Sequence, residues 1–245
     1  MYLNDNIRIS RIEIEINTHC NRNCGYCPSS KKELNLGEKY MDENLFKLII
    51  KKILDISHLI KRISYHFYSE PLLHPDLCIF TKYAKEMLPH CINVIYTNGD
   101  YLSDTKYYEL MQSGVDYIII TNHENRNIPK RAKQRILSVS GLNFTNRGGS
   151  LFKLKHPLST PCFAPSYRLM ITYNGDVILC YEDSERKNVF GNLKESSIKF
   201  ILNSNKYKYI RDQLEKGNRK NIIPCRFCNN EAHNTPKQIN VNIIP

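Results

Sequence analysis

A chain of 245 residues, 41% of them hydrophobic, is long enough to bury a substantial core, as one large domain or as one with a small annex. Its longest apolar runs, such as Tyr117–Ile120, are too short to span a bilayer and no cleavable apolar segment opens it, so a cytoplasmic protein with no membrane partner is expected. The formal charge of +11 is scattered through stretches such as KRAKQR and NSNKYKYIRDQLEKGNRK rather than gathered with aromatics into one stripe, so a solvated basic surface is expected and a nucleic-acid partner is not.

In chain order, RISRIEIEIN (residues 8–17) alternates with period two, the pattern of a strand, and runs into NTHCNRNCGYCPSS. MDENLFKLIIKKILDI places Leu45, Leu48, Ile49, Ile53 and Ile56 on one helical face, with Asp42 as the N-cap. KRISYHFY, INVIYTNG and VDYIIITN read as further strands, and between the last two SDTKYYELMQSG reads as a helix from a Ser103 cap to a Gly114 stop. This alternation predicts an α/β fold: a parallel sheet, open or curled into a partial barrel, with functional residues at the C-terminal ends of its strands. Beyond Ser150 the pattern changes. LMITYNGDVILC predicts a hairpin about Asn174–Gly175, and Ile198–Glu215 predicts a helix. The expected organisation is a core over 1–150 and a smaller α+β unit over 151–245.

Nine cysteines in a chain without a secretory signal point to metal or iron–sulfur ligation rather than disulfides. Cys20, Cys24 and Cys27 offer three ligands on one loop with no fourth cysteine nearby. A structural zinc site wants four closed ligands, which His19 or His66 could complete. A cubic 4Fe–4S cluster held by three cysteines instead keeps one iron open for a chelating ligand, and the triplet matches it better. Cys162, Cys180, Cys225 and Cys228 form a second set, and four thiolates suit either zinc or a closed cluster. Cys78 and Cys91 read as small apolar packing residues. No Gly-x-Gly-x-x-Gly or Walker loop supports nicotinamide or nucleoside-triphosphate chemistry.

Cys-x3-Cys-x2-Cys after a first strand, with the aromatic Tyr26 just before the last cysteine, resembles the radical S-adenosylmethionine superfamily. That resemblance implies S-adenosylmethionine bound to the open iron, reductive cleavage to a 5′-deoxyadenosyl radical, and hydrogen abstraction from substrate. YSEP (68–71) is similar to the family's Gly-Gly-Glu-Pro segment, with Ser69 where glycine is usual, and implies that Glu70 accepts from the methionine ammonium. Asn98 in YTNGD and His123 in TNHE, with Tyr26, become the other cofactor-facing candidates. Beside such a site the second cysteine set resembles the twitch domain, a shortened SPASM domain, which implies a fully ligated 4Fe–4S cluster that accepts an electron. RISYHFYSEPLL, VIYTNGDYL, NRGG, LCYED and CRFCNN further resemble, in order and spacing, the aminocyclitol dehydrogenases of this superfamily.

The likeness implies oxidation of a carbinol carbon to a ketone on a small polyhydroxylated or amino-bearing substrate, with pocket roles for Tyr68, Tyr96, Arg147 and Glu182. Arg147 is expected to stabilise the developing alkoxide, and Glu182 to bind substrate or take its proton. An external one-electron donor such as flavodoxin or ferredoxin is the implied partner. The competing expectations are an epimerase with Cys78 as hydrogen donor, a peptide-modifying enzyme and, from another class, a non-catalytic zinc or iron–sulfur RNA-binding module.

Overall fold

The computed structural model describes residues 8–31 and 36–235; residues 1–7, 32–35 and 236–245, which the expected units 1–150 and 151–245 include, lie outside the described residues. The first part runs β1 (Arg11–Ile14), α1 (Glu43–Ile53), β2 (Arg62–Ser64), α2 (Leu77–Met87), β3 (Ile92–Thr97), α3 (Asp104–Gln112), β4 (Tyr117–Asn122) and β5 (Gln134–Ser138). The remainder runs α4 (Ala164–Tyr167), β6 (Arg168–Ile171), β7 (Asp176–Ile178), β8 (Val189–Asn192), α5 (Ile198–Asn203) and α6 (Asn205–Glu215). All eight strands form one sheet in the order β5-β4-β3-β2-β1-β6-β7-β8. Pairing is parallel from β5 to β6 and antiparallel at β6–β7 and β7–β8. With β5 and β8 as separate edges the wall stays open, a partial barrel of the expected α/β class.

Period-two alternation gives this wall two different faces. Ile12, Ile14, Ile63, Ile95, Ile118, Ile120 and Ile171 pack with Phe46 and Ile50 of α1, Phe80 of α2, Leu110 of α3 and Ile201 of α5 in one apolar core. Residues one step out of phase, among them Arg11, Glu13, Ser64, His66 and Tyr96, form the inner face, and its C-terminal rim carries the site. The expected caps are present: Asp42 accepts from Leu45 N (2.9 Å) and Ser103 from Lys106 N (3.1 Å). Gly114, at φ +88°, closes the turn after α3.

Three features depart from the expectation. The single helix over 198–215 is two, because Ser204 is extended (φ −60°, ψ 146°) and caps α6 by accepting from Tyr207 N (3.3 Å). Helix α2 lies between the second and third strands, where no element was expected. Strand β5 falls inside the basic stretch KRAKQRILS. The predicted hairpin forms as β6–β7, but β6 enters the main sheet beside β1. Among the described residues no helix is long and apolar enough to cross a membrane.

Candidate active site

The cysteine triplet leaves the end of β1 and lines a cleft at the C-terminal rim. Asn17 secures the departure by donating from Nδ2 to Glu70 O (2.9 Å). Arg22, inside the triplet, donates to both oxygens of Asp100 (2.6 and 2.7 Å) and to Glu124 (2.9 Å). Asn21 and Arg126 reach the same Asp100 carboxylate, each at 2.7 Å. The loop is therefore clamped to the segments that follow β3 and β4. Burial pushes the Cys20 thiol up to about 11, and Glu70, Cys27 and Cys24 add to the rise. Three thiols at one rim, where no fourth cysteine lines the cleft, fit a metal centre that would deprotonate them and keep one position open.

The wall beside them is made by the ends of β2 and β3. Glu70 is buried and accepts from Leu72 N (3.0 Å), Thr97 Oγ1 (2.6 Å) and Asn98 N (2.8 Å). Burial pushes its carboxyl up to about 7, the three hydrogen bonds only partly opposing it. A carboxylate has about four acceptor positions, so room remains for one more donor, and a cation there would restore ionisation. The Ser69 hydroxyl, also on the cleft, is buried without a partner. Asn98 Nδ2 donates to Asn21 Oδ1 (2.8 Å) and approaches Cys20 Sγ (3.8 Å). Tyr26 stacks on Phe144 with ring centroids 3.9 Å apart, and its hydroxyl hydrogen-bonds His123 Nδ1 (2.6 Å). These groups fit S-adenosylmethionine: an acceptor for its ammonium, an orphan hydroxyl and an aromatic shelf.

The opposite wall is aromatic and cationic. Tyr68 donates to Tyr181 O (2.7 Å) and Tyr181 donates to Phe67 O (2.8 Å), a reciprocal lock. Tyr96 lies 4.5 Å from His66, ring to ring. Arg147 stands 5.8 Å from the Tyr68 and Phe144 ring centroids and 5.9 Å from that of Tyr181, and its Nε donates to Tyr26 O (3.3 Å). Burial acts to lower its pKa, but Tyr181, Tyr68 and Glu182 outweigh it and the net shift is upward, so this guanidinium stays charged.

Arg147 adopts φ +53°, followed by Gly148 (+62°) and Gly149 (+92°), a left-handed run that turns its side chain into the cleft. Tyr26, Tyr68, Ser69, Glu70, Tyr96, Asn98, His123 and Arg147 all line the cleft; Glu182 does not. Its buried carboxylate instead accepts from Thr145 Oγ1 (2.9 and 3.0 Å) and Asn230 Nδ2 (2.8 Å). Cys78 lies on α2 near Lys106 and Ser113, outside the cleft lining, so it is not positioned as a hydrogen donor there.

Cys162, Cys180, Cys225 and Cys228 converge behind this wall. Burial pushes Cys180 and Cys225 well above the usual thiol range and Cys228 up to about 12, the charges of neighbouring thiols contributing to each. The cation beside Cys162, Cys225 and Cys228 is Arg219, which is buried and donates to Thr160 O (2.9 Å), Pro161 O (2.9 Å) and Asn230 O (3.2 Å). The Arg147 loop is stitched to this set: Asn146 N donates to Asn229 Oδ1 (2.7 Å) and Asn229 N to Asn146 Oδ1 (3.1 Å). Four neighbouring thiols, those of Cys225 and Cys228 buried and those of Cys162 and Cys180 partly so, fit a fully ligated centre.

An open α/β barrel with three thiols at its mouth and four more enclosed beside it is the build of an iron–sulfur enzyme that handles a sulfonium cofactor and a small substrate in one cleft. Family models agree: one described as the radical SAM superfamily matches residues 14–135, and one described as an iron–sulfur cluster-binding SPASM domain matches residues 162–229. The S-adenosyl-L-methionine-dependent 2-deoxy-scyllo-inosamine dehydrogenase of Niallia circulans is 34% identical over 243 residues, spanning 94% of this chain and 96% of the relative. The chain belongs to the radical S-adenosylmethionine superfamily and carries its SPASM-type auxiliary domain.

The crystal structure of BtrN in complex with AdoMet and 2-DOIA superposes with a TM-score of 0.85 at 33% identity, covering 94% of this chain and 96% of that one. BtrN in an open conformation gives 0.77, so the present conformation is nearer the ligand-bound form. SuiB of Streptococcus suis bound to the precursor peptide SuiA shares the fold alone, with a TM-score of 0.57 at 11% identity over 84% of this chain and 68% of that one. The cofactors are S-adenosylmethionine and two 4Fe–4S clusters, and the iron–sulfur domain match over residues 162–229 spans the second cysteine set.

Sequence reasoning did not single out Phe144 and Tyr181, which line the cleft, the Arg22–Asp100 clamp, or Thr145 and Asn230. Tyr181, between Cys180 and Glu182, and Asn230, in CRFCNN, stood next to positions already singled out.

Proposed function

We propose that this enzyme oxidises a secondary alcohol of an aminocyclitol or amino sugar to a ketone. The relative at 34% identity is named for such a dehydrogenation, and the cleft supports the reading. One observation carries it: Tyr181, the residue after Cys180 of the closed set, lines the same cleft as Cys27 of the open set. The wall that a small substrate would touch is therefore joined directly to the backbone of the closed set behind it. When bound, the open cluster with S-adenosylmethionine supplies a hydrogen-abstracting 5′-deoxyadenosyl radical, and the auxiliary cluster supplies an acceptor for the remaining electron.

Cys20, Cys24 and Cys27 would hold the open cluster, and Cys162, Cys180, Cys225 and Cys228 the closed one. Glu70 receives the methionine ammonium at its remaining acceptor position, Ser69 adds a hydroxyl contact, and Tyr26, Asn98 and His123 shape the nucleoside wall. Tyr68 and Tyr96 exclude water and orient the ring of the substrate. Arg147 draws the substrate hydroxyl by charge and stabilises negative charge growing on its oxygen as the proton leaves. Because Arg147 stays charged, it is not the resting base. Glu182 stands behind the wall, held by Thr145 and Asn230, and reaches the substrate only by displacing one of those bonds or through water. A flavodoxin- or ferredoxin-type donor, a cytoplasmic setting, and a division of labour near residue 150 between radical and acceptor halves complete the proposal.

The test is anaerobic turnover with a panel of aminocyclitols and amino sugars deuterated at the carbinol carbon. Deuterium in 5′-deoxyadenosine together with a product lacking two hydrogens is the expected result. A product one mass unit lighter than the labelled substrate, its deuterium replaced by solvent hydrogen at that carbon, would make the enzyme an epimerase instead.

A further inference from the structure

At the other end of the barrel, the first inner-face position of three adjacent strands is arginine. Arg11 of β1 is in register with Arg62 of β2 on one side and with Arg168 of β6 on the other. Like charges opposed across neighbouring strands repel, and here three stand in a row on one face. Glu13 is the carboxylate among them, paired with Arg168 at 3.4 Å. His66, just past the end of β2, has its pKa lowered to about 4 by burial and adds no charge at neutral pH. Among the described residues, three guanidinium groups face one carboxylate, leaving two positive charges without a counter-charge there.

Their hydrogen bonding is equally incomplete. Arg62 is 8% exposed, and the Nε atoms of both Arg62 and Arg11 are buried with no acceptor. A pocket lined by Arg11, Arg168, Phe163, Tyr167 and His233 opens against this row. The auxiliary thiols do not account for the whole row, because Arg219 is the cation that recurs beside Cys162, Cys225 and Cys228; of the row, Arg168 alone acts on Cys162.

We propose that this N-terminal mouth of the barrel is a second ligand site, for a dianionic phosphate group. A phosphate group carries about −1.5 to −2 at neutral pH, and its dianion matches the uncompensated charge, while guanidinium groups bind its oxygens through paired N–H donors. Arg11 and Arg168 are the contacting residues, and Arg62 adds charge from the inner side. Free phosphate and a phosphomonoester share this chemistry.

The experiment is anaerobic calorimetry on the reconstituted holoenzyme with inorganic phosphate and, separately, with a hexose phosphate, in chloride of matched ionic strength. One saturable site is expected, weakened at least about 10-fold in Arg11→Met. Tighter binding of the ester than of phosphate would show that the organic part is also recognised; equal binding would show that the phosphate group suffices. A second readout guards against misfolding. In phosphate-free buffer Arg11→Met, relieved of repulsion, should unfold no lower than wild type, and phosphate should raise the wild-type midpoint but not the variant's. No saturable binding, or equal binding by Arg11→Met, would overturn the proposal. So would a midpoint response reproduced by sodium chloride alone.

Discussion

Gly148→Ala is the sharpest single perturbation of the Arg147 loop. A Cβ at this position, where φ is +62°, would fall 2.2 Å from the Glu182 carbonyl oxygen and 2.9 Å from Pro224 Cβ. Left-handed backbone costs a non-glycine residue about 1–2 kcal/mol. The two obstacles are a backbone carbonyl and a proline ring, neither of which can swing aside, so the loop must back away by roughly 1 Å to reach ordinary contact. A destabilisation of about 2 kcal/mol corresponds to a drop of about 4–8 °C in Tm for a chain of this size. The displacement is borne by the neighbouring Arg147, and a misplacement of ~1 Å at a reacting group reduces rate by about 100-fold. The cysteine triplet belongs to a different loop, so 5′-deoxyadenosine release should persist while ketone formation falls. Paired quantification of both products, with a thermal melt of the same sample, tests this. Wild-type ketone yield at a wild-type Tm would refute the assignment of the loop.

Three further outcomes are expected. Burial lowers the His66 pKa to about 4, so its contribution to stability is full above ~6.5 and is lost as pH falls through about 4. His66→Gln should flatten urea-unfolding stability across that window by on the order of 3 kcal/mol, and an unchanged slope would count against a buried neutral imidazole. Asp100→Asn weakens the ionic clamp on Arg22, and iron in the reconstituted protein should fall from about eight towards about four per chain, with the open cluster lost first. Asn230→Leu removes the 2.8 Å bond to Glu182, of a kind worth about 1.5–3 kcal/mol. Substrate KM should rise while S-adenosylmethionine cleavage holds, and loss of both together would indicate general unfolding.

How much of the fold the sequence exposes depends on how locally each element is specified. Helices α1 and α3 announce themselves because Asp42 and Ser103 cap them and their apolar residues keep helical spacing. Helix α2 hides because Asp76 makes no side-chain cap, Ile79 faces solvent, and Thr81 is buried with its hydroxyl returned to Leu77 O (3.1 Å). Strand β5 has no fully buried residue, as expected of an edge, so alternation leaves no clear trace. The break at Ser204 is written in a capping serine, but the apolar face continues across it from Ile201 to Tyr207 and masks the stop.

The site divides along the same line. Cysteine spacing and Tyr-Ser-Glu-Pro are legible because a ligand set or a turn is local chemistry. The Arg22–Asp100 clamp spans 78 residues and the Asn146–Asn229 pair 83, and no periodicity reports contacts of that separation. The first ends at the open cysteine triplet and the second at the closed thiol set. Glu182 comes two residues after Cys180, and Asn230 two after Cys228. Asn230 N donates to Cys228 Sγ (3.4 Å) while its side chain holds Glu182, and Gly148 packs on the Glu182 carbonyl. Two short runs of backbone, 180–182 and 228–230, thus both carry thiols of the closed set and hold the groups that fix Arg147 at the cleft. Electron acceptor and substrate wall are in this way mechanically one object, so a change in ligation at Cys180 or Cys228 should move the substrate pocket as well as the cluster.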